Sequence, residues 1–385
     1  MSLADLEPEV VDRVRDRLAD RPGDLSPHRV AEALRAAGRP VGDATVLAVY
    51  EALRRDVLGA GPLEPLLRLP GVTDVLVNGP EQVYVDRGDG LEATSVRFAD
   101  DESVRRLAQR LAAMSGRRLD DSVPFADVRL PDGSRCHAVL APVSRPGTTI
   151  SLRVPPARAF TLDELRAAGT ITPRGAELLR ALVDARAAFL VSGGTGTGKT
   201  TLLAALLSLV DPRERMVLVE DASELRPDHP HVVGLEGRPA NVEGAGAIDL
   251  RTLVRQALRM RPDRLVVGEV RGAEVVELLA ALNTGHEGGC GTLHANSAVD
   301  VPARVEALAL AAGLDRAATH SQLASGVAAV VHLTRGADGV RRVAGLAILE
   351  RGAGGLVTMV PAVSLVDGEL REGPGAAGLA EVLGL

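Results

Sequence analysis

The chain has 385 residues, of which 46% are hydrophobic, 25% are charged and only 2% are aromatic, and its formal net charge is −7. This length predicts two or three domains with cores of their own, and the composition is typical of a soluble globular protein. The acidic balance excludes a general electrostatic attraction to nucleic acid or to anionic lipid.

The first 58 residues carry apolar side chains at helical spacing, such as Val10, Val14 and Leu18. Because prolines and glycines interrupt this pattern, we expect an N-terminal helical segment, 1–58, that consists of two or three short helices. Short alternating strands and one helix, 101–115, come next and predict a small α+β domain over 59–154. A linker, 155–172, begins with two prolines.

From residue 173 the apolar strands alternate with helices, which predicts an α/β domain with a parallel, helix-covered sheet over 173–385. Four strands end in polar residues: 187–192 leads into a Gly-rich loop, 216–220 and 264–268 end beside carboxylates, and 291–295 carries His294. Because ligands of open α/β sheets bind at the carboxyl ends of the strands, we expect the functional site there. The Gly/Ala-rich tail after Arg351 is typical of low-complexity sequence.

A phosphate-binding loop is the most specific motif. It matches GxxxxGK[ST] between a predicted strand and a predicted helix. The matching residues are Gly193, Gly194, Thr195, Gly196, Thr197, Gly198, Lys199 and Thr200. Such glycines let backbone N–H groups surround phosphate oxygens. We therefore expect ATP and Mg²⁺ as cofactors, with Lys199 on the β- and γ-phosphates, Thr200 on the metal and Thr201 in the same nucleotide-binding stretch.

Lys199 is also the only lysine of the chain. A compact ammonium reaches into a tight loop where a planar guanidinium fits poorly. Drift from Lys to Arg in a GC-rich genome explains the many arginines. It does not explain why position 199 retained a lysine.

Two acidic segments follow the loop. Glu220, Asp221 and Glu224 lie together at one predicted strand end, where mutual repulsion favours a cation or a water network; a solvated turn explains them equally well. The next strand ends on Glu269, which can orient water or reach Mg²⁺ through water.

Two histidines, His286 and His294, lack a third ligand at metal-binding spacing. A hydrogen-bonded structural role is the more common one for such residues, whereas a histidine near a γ-phosphate could sense its loss. The two cysteines predict neither a disulfide framework nor a metal cluster and suit a reducing cytoplasm. The N-terminus has no secretory signal, and no apolar run approaches the ~18 residues needed to span a bilayer, so we expect no direct membrane insertion.

Several further motifs give the chain a family resemblance over roughly 58–350. They are GPLEPLL at 61–67, DVLVNG at 74–79, RLPDGSR at 129–135, RMRPD at 259–263, VGEVRG at 267–272 and NTGH at 283–286. Together with the phosphate-binding loop, they make the chain resemble the secretion ATPases of type II and type IV machines. The resemblance is strongest to the Tad/CpaF-like branch, which drives Flp-type pili. The tetracysteine zinc module of type II secretion members is absent from the sequence, which argues against that branch.

The resemblance implies a RecA-like P-loop NTPase domain and assigns roles to its site residues. It implies that Glu224 is the catalytic carboxylate of the family's Asp box and that Glu269 is its atypical Walker B glutamate. His286 and His294 match the family's His box. Arg135 and Arg153 match arginines of the N-terminal domain that reach the nucleotide in such ATPases. The implied catalytic set is therefore Lys199, Glu224, Glu269, His294, Arg135 and Arg153, with Thr200 and Glu269 at the metal.

The resemblance also implies a homohexameric motor in the cytoplasm, peripheral at the inner face of the cell membrane. ATP hydrolysis would then drive Tad/Flp-type pilus assembly or protein secretion through platform proteins of the inner membrane. Two alternatives stay open. One is a RecA-like nucleic-acid translocase, against which the acidic charge and the missing Trp count. The other is a nucleotide-gated scaffold with little turnover.

Overall fold

A computed structural model describes residues 26–36, 42–43, 45–47, 49–50, 59–88, 90–155, 158–238, 240, 244–366 and 368–385. The chain divides into two compact units, Met1–Pro156 and Ala157–Leu385. Most of the predicted N-terminal helical segment lies outside the described residues. Helix α1 (Pro27–Ala36) is the part of it that forms a complete described element.

The first unit is built on a six-stranded sheet in the order β3-β2-β1-β6-β5-β4, with every neighbouring pair antiparallel. Its elements after α1 are a short 3-10 helix (Gly61–Leu63), α2 (Glu64–Leu67), β1 (Asp74–Asn78), β2 (Val83–Asp86), β3 (Leu91–Ala93), α3 (Asp101–Met114), β4 (Phe125–Arg129), β5 (Arg135–Val139) and β6 (Thr149–Arg153).

One face of this sheet forms the core of the unit. Val75 and Ile150 point to that face and cluster with Leu107 of α3, because alternate residues of a strand face opposite sides. Helix α3 starts where the Asp100 side chain accepts the N–H of Ser103, a typical N-cap. The opposite face of the sheet carries charged residues such as Asp127 and Arg135 beside the exposed Phe125.

The second unit is built on a nine-stranded sheet in the order β15-β14-β13-β12-β7-β11-β10-β8-β9. Its elements are α4 (Leu162–Ala167), α5 (Pro173–Asp184), β7 (Phe189–Gly193), α6 (Lys199–Leu207), β8 (Met216–Glu220), β9 (Val232–Glu236), α7 (Leu250–Ala257), β10 (Arg264–Val270), α8 (Glu274–Leu282), β11 (Cys290–His294), a short 3-10 helix (Ala298–Asp300), α9 (Val301–Ala311), α10 (Arg316–Gly326), β12 (Ala329–Arg335), β13 (Arg341–Arg351), β14 (Val357–Val366), β15 (Glu369–Glu372) and α11 (Ala376–Leu383).

The six strands from β9 to β12 in this order run parallel, and β13 to β15 extend the sheet antiparallel. Strands β7 and β8 are buried at every position, as expected for parallel strands covered on both faces. One apolar cluster includes residues of α4, α5, α6 and α11, and a second includes residues of α7 to α10. The predicted parallel, helix-covered sheet is therefore confirmed.

Two parts of the second unit differ from the sequence prediction, which gave a low-complexity tail after Arg351 and a linker at 155–172. The tail after Arg351 forms β14, β15 and α11, and Leu379 and Leu383 of α11 are buried in the core. Within the predicted linker, Leu162 and Ile171 belong to that same core. Among the described helices, none combines the length and the apolar character that crossing a membrane requires.

Candidate functional site

The phosphate-binding loop connects the end of β7 to the start of α6. Gly193, Gly196 and Gly198 have φ angles of 154°, 71° and 92°, a region that residues with a Cβ rarely adopt. A Cβ at Gly193 would also lie only 2.6 Å from the carbonyl oxygen of Leu333. The path of this loop therefore requires glycine.

Lys199 is the first residue of α6, and its side chain lies inside the loop. Its Nζ donates hydrogen bonds to the carbonyl oxygens of Gly193 at 3.0 Å and Gly194 at 2.9 Å. Burial lowers the pKa of Lys199, and the negative charge of Glu269 opposes that shift. Glu269 thus acts electrostatically on the ammonium. Thr200 and Thr201 follow in the first turn of the helix and are partly exposed.

Glu269 lies in a bulge near the end of β10. The register of β10 against β11 shifts between Val267 and Val270, so that Gly268 and Glu269 stand opposite a single residue, Thr292. The Thr292 hydroxyl donates to the Gly268 carbonyl oxygen at 2.6 Å. Bulges often re-aim a side chain beside a functional site. The Glu269 side chain is 35% exposed, whereas its neighbours in β10 are buried.

The acidic segment after β8 is an ordered turn. Glu220, the last residue of β8, is only 4% exposed, and its Oε1 accepts the backbone N–H groups of Glu224 at 3.1 Å and Leu225 at 2.9 Å. Burial raises the pKa of Glu220 to about 7. Glu224 itself is exposed, so its carboxylate is accessible to a ligand.

Arg271 connects these two acidic segments. Its Nε lies 3.0 Å from Oδ2 of Asp221, and its Nη2 lies 2.9 Å from Oε2 of Glu269. The guanidinium therefore joins the ends of β8 and β10 and holds Glu269 in an ion pair at the edge of the sheet.

The two histidines of the sequence prediction occupy different settings. His294 is the last residue of β11 and is paired in register with Gly193 of β7, so it stands beside the start of the phosphate-binding loop. His286 follows α8, and its Nδ1 lies 3.3 Å from the carbonyl oxygen of Ala281, which is a local contact.

Arg135 and Arg153 lie on the exposed face of the sheet in the first unit. They are direct neighbours in register on β5 and β6, and Arg129 of β4 is opposite Arg135. Because like charges directly opposite each other are unfavourable, the row needs compensation. Asp127 binds Arg135 at 2.9 and 2.5 Å, which lowers the pKa of Asp127, and Asp74 lies 3.4 Å from Arg153.

In the second unit, the structure places the phosphate-binding loop, Glu224, Glu269 and His294 at the carboxyl edge of the parallel strands. The described residues hold no group of three or more His, Cys, Asp or Glu side chains that could bind a metal by itself. Mg²⁺ at nucleotide sites is commonly held by phosphates and one or two side chains. The Thr200 hydroxyl and the Glu269 carboxylate are groups of that kind, and the glycine cradle with its buried ammonium fits a polyphosphate.

Sequence reasoning missed two residues beside the loop. His332 of β12 is buried, and its Nδ1 lies 2.9 Å from the hydroxyl of Ser192, the residue before the loop. The Cδ of Arg341 in β13 lies 3.4 Å from where a Cβ of Gly198 would be. No local motif marks β12 or β13. The turn dipeptide Asp338-Gly339 was the available signal for the hairpin that places Arg341.

Comparison with known proteins gives three concordant results. Residues 56–366 match the family model described as type II/IV secretion system protein. The chain is 58% identical over 320 residues to a putative conjugal transfer protein of Mycobacterium tuberculosis, which covers 82% of this chain and 91% of that protein. It is 35% identical over 259 residues to the type IV secretion system protein PtlH homologue of Bordetella bronchiseptica, which covers 61% of this chain and 76% of that one.

Among solved structures, the Legionella pneumophila ATPase DotB matches with a TM-score of 0.52 and 20% identity, over 74% of this chain and 79% of that one. This likeness concerns the fold, and it agrees with a RecA-like P-loop domain in the second unit. The matched family model spans most of the sequence, including the phosphate-binding loop and both acidic segments. The chain belongs to the family of type II/IV secretion system proteins.

Proposed function

We propose that the chain is an ATP-hydrolysing motor of a secretion or pilus-assembly machine. The observation that carries the proposal is the arrangement at one sheet edge. The loop after β7 holds the buried ammonium of Lys199. At the same carboxyl edge of the sheet, β10 carries Glu269 two strands away, and the turn after β8, three strands away, carries Glu224. Phosphoryl transfer needs little more than positioning and charge stabilisation, and these residues supply both.

The residues divide the work between binding and hydrolysis. On nucleotide binding, Lys199 exchanges its two carbonyl partners for β- and γ-phosphate oxygens, and the Thr200 hydroxyl and the Glu269 carboxylate are the groups that would hold Mg²⁺. The metal, when bound, neutralises charge that develops on the phosphates. Glu224 accepts a proton from the attacking water; this role rests on the family resemblance, and the carboxylate is exposed, as the role requires. His294, beside Gly193 in register, is placed to respond to the phosphate state of the loop.

Arg135 and Arg153 supply further positive charge to the transferring phosphoryl group. The proposal rests on the family resemblance and on their position side by side on an exposed sheet face. In related NTPases such arginines contribute about 10³–10⁵-fold in rate. Their ion pairs with Asp127 and Asp74 are exposed, and such pairs exchange partners at little cost.

At the level of the machine, we propose a homohexamer that works in the cytoplasm against platform proteins at the inner face of the cell membrane. Membership of the type II/IV secretion family supports the motor role. The motifs shared with the Tad/CpaF-like branch support Flp-type pilus assembly as the specific process. ATP hydrolysis would change the arrangement of domains and so transmit force to the platform.

Steady-state ATP turnover, measured beside the mass of the protein in solution, tests the proposal. We expect Lys199→Ala and Lys199→Arg to abolish hydrolysis and weaken nucleotide binding, because the short ammonium contact is lost. Glu224→Gln and Glu269→Gln should keep ATP affinity and lose turnover, since each keeps the phosphate cradle. Glu236→Gln, an exposed glutamate on β9, is the matched control and should retain turnover.

Three outcomes would redirect the proposal. Turnover by Lys199→Arg near the wild-type rate would refute the role of the lysine. Tight ATP binding without turnover in the wild-type hexamer would favour the nucleotide-gated scaffold. Strong stimulation of ATP turnover by single-stranded DNA would favour a nucleic-acid translocase.

A further inference from the structure

Glu220 is a buried carboxylate that none of the roles above uses, and it contacts both acidic segments of the candidate site. In the register of β8 against β10, Val219 pairs with Val267, which places Glu220 beside Gly268. A Cβ at Gly268 would lie 2.6 Å from the Cγ of Glu220 and 3.0 Å from its Oε1. The Glu220 side chain therefore lies across the first residue of the bulge that precedes Glu269.

The same carboxylate also holds the turn that carries Glu224. Its Oε1 accepts the two backbone N–H groups of Glu224 and Leu225. Without this acceptor both amides would lose their partner, and the N–H of Leu225, a residue that is only 3% exposed, would be left unsatisfied in the interior, which is costly. One oxygen thus fixes the backbone of the turn, while the stem of the same side chain packs on the bulge.

Burying a carboxylate to this degree is unfavourable unless hydrogen bonds offset the loss of its hydration. A buried apolar side chain at the end of β8 would extend the hydrophobic core without that cost, but it would provide no acceptor for the turn. A glycine at 268 is equally specific, because any Cβ there would collide with the Glu220 stem. The two residues are therefore matched to each other.

We propose that Glu220 is a positioning residue that sets the spacing between the Glu224 turn and the Glu269 bulge. Gly268 is its counterpart, because it provides the space that the Glu220 stem occupies. The effect of Glu220 on turnover rests on the proposed ATPase function, whereas its effect on the two backbone amides does not.

The experiment combines kinetics with hydrogen exchange in the full-length protein. Glu220→Ala should lower kcat by about 10- to 100-fold, since small misplacements of catalytic groups cost that much, and should change KM for ATP by less than about threefold. Exchange of the amides in peptides that cover 221–226 should become at least about tenfold faster. Glu220→Gln keeps the shape and an acceptor oxygen, so it should restore both properties. Glu369→Ala, an exposed glutamate on β15 at the opposite edge of the sheet, is the control and should leave both unchanged.

Gly268→Ala provides an independent measurement from the other side of the contact. The added Cβ should displace Glu220 and lower kcat by a similar factor. In the Glu220→Ala background the colliding side chain is gone, so Gly268→Ala should then cost less than about threefold. Such non-additivity is the signature of residues in direct contact.

Additive losses in this double-mutant cycle would overturn the proposal, as would unchanged amide exchange in Glu220→Ala. Equal losses in Glu220→Ala and Glu220→Gln would also overturn it, because the acceptor would not matter. If the wild-type protein hydrolyses no ATP, the proposed function fails. The role of Glu220 is then decided by amide exchange and by the Tm values of Glu220→Ala and Gly268→Ala, alone and combined. If Glu220→Ala does not fold, the single variants decide: Glu220→Gln should retain kcat and amide exchange, Gly268→Ala should lower kcat, and wild-type kcat in Gly268→Ala would overturn the proposal.

Discussion

Replacing Thr292 by valine tests whether the bulge in β10 aims Glu269. Thr292 is 1% exposed, and its hydroxyl donates to the Gly268 carbonyl oxygen at 2.6 Å. Valine keeps the branched shape, so no cavity arises, but the carbonyl loses this donor inside the sheet. The cost is about 1–3 kcal/mol for a buried polar group left without its partner. For a unit of this size that corresponds to about 2–4 °C of Tm per kcal/mol.

Turnover should fall as well, because a relaxed bulge displaces the Glu269 carboxylate; we expect a loss of about 10- to 100-fold in kcat. The assay is steady-state ATP turnover beside a thermal melt. Thr319→Val is the control for a buried threonine in another element: Thr319 is 0% exposed, and its hydroxyl donates at 2.8 Å to the Asp315 carbonyl oxygen, which also accepts the Thr319 backbone N–H. It should leave turnover unchanged. A Thr292→Val protein with a lowered Tm and wild-type kcat would refute the idea that the bulge positions Glu269.

Two further predictions concern residues outside the loop. Arg135→Ala and Arg153→Ala should each lower ATP turnover strongly with little change in Tm, because exposed ion pairs contribute little to stability. Wild-type turnover in both variants would exclude the two arginines from the site. Recovery of turnover when either variant is mixed with the Lys199→Ala protein would show that the arginines act between subunits. Burial lowers the pKa of His332 below its usual 6.5, and the positive charge of Lys199 adds to this shift. A backbone hydrogen bond with Asn296 and the negative charge of Asp300 raise the pKa and offset part of the shift. The neutral ring therefore adds stability above about pH 6.5 that is lost as the pH falls through the lowered pKa. The Tm advantage of wild type over His332→Gln should shrink between about pH 7.5 and pH 5, and a constant difference would contradict this.

Local sequence signals were sufficient for the parts of the fold that depend on neighbouring residues. The predicted strand 216–220 coincides with β8, and the predicted helix 101–115 ends one residue earlier, as α3. The phosphate-binding loop likewise stands between a strand and a helix, as its pattern requires. Apolar periodicity and glycine spacing are encoded within short segments, which makes such elements predictable.

Features that depend on strand register were not predictable in this way. His332 contacts Ser192 across 140 residues of sequence, and the bulge at Gly268 appears only when β10 is aligned with β11. The burial of Glu220 also follows from the neighbouring strand, since the sequence shows it only as one of several clustered carboxylates. Pairings of distant segments are set by the whole core, and a single sequence does not display them.

The hydrogen bonds of Lys199 have a consequence for selectivity. The carbonyl oxygens of Gly193 and Gly194 hold the ammonium in the centre of the loop, so an incoming ligand must compete with two neutral acceptors for it. Phosphate oxygens win this competition because they carry negative charge, so Coulomb attraction to the ammonium adds to the hydrogen bond that a neutral carbonyl also accepts. A nucleoside without phosphates offers no such acceptor and leaves the lysine where it is. The loop therefore discriminates between ligands by their charge, independently of contacts with base or sugar. A ligand binds Lys199 only if it attracts the ammonium more strongly than the two backbone carbonyl oxygens do.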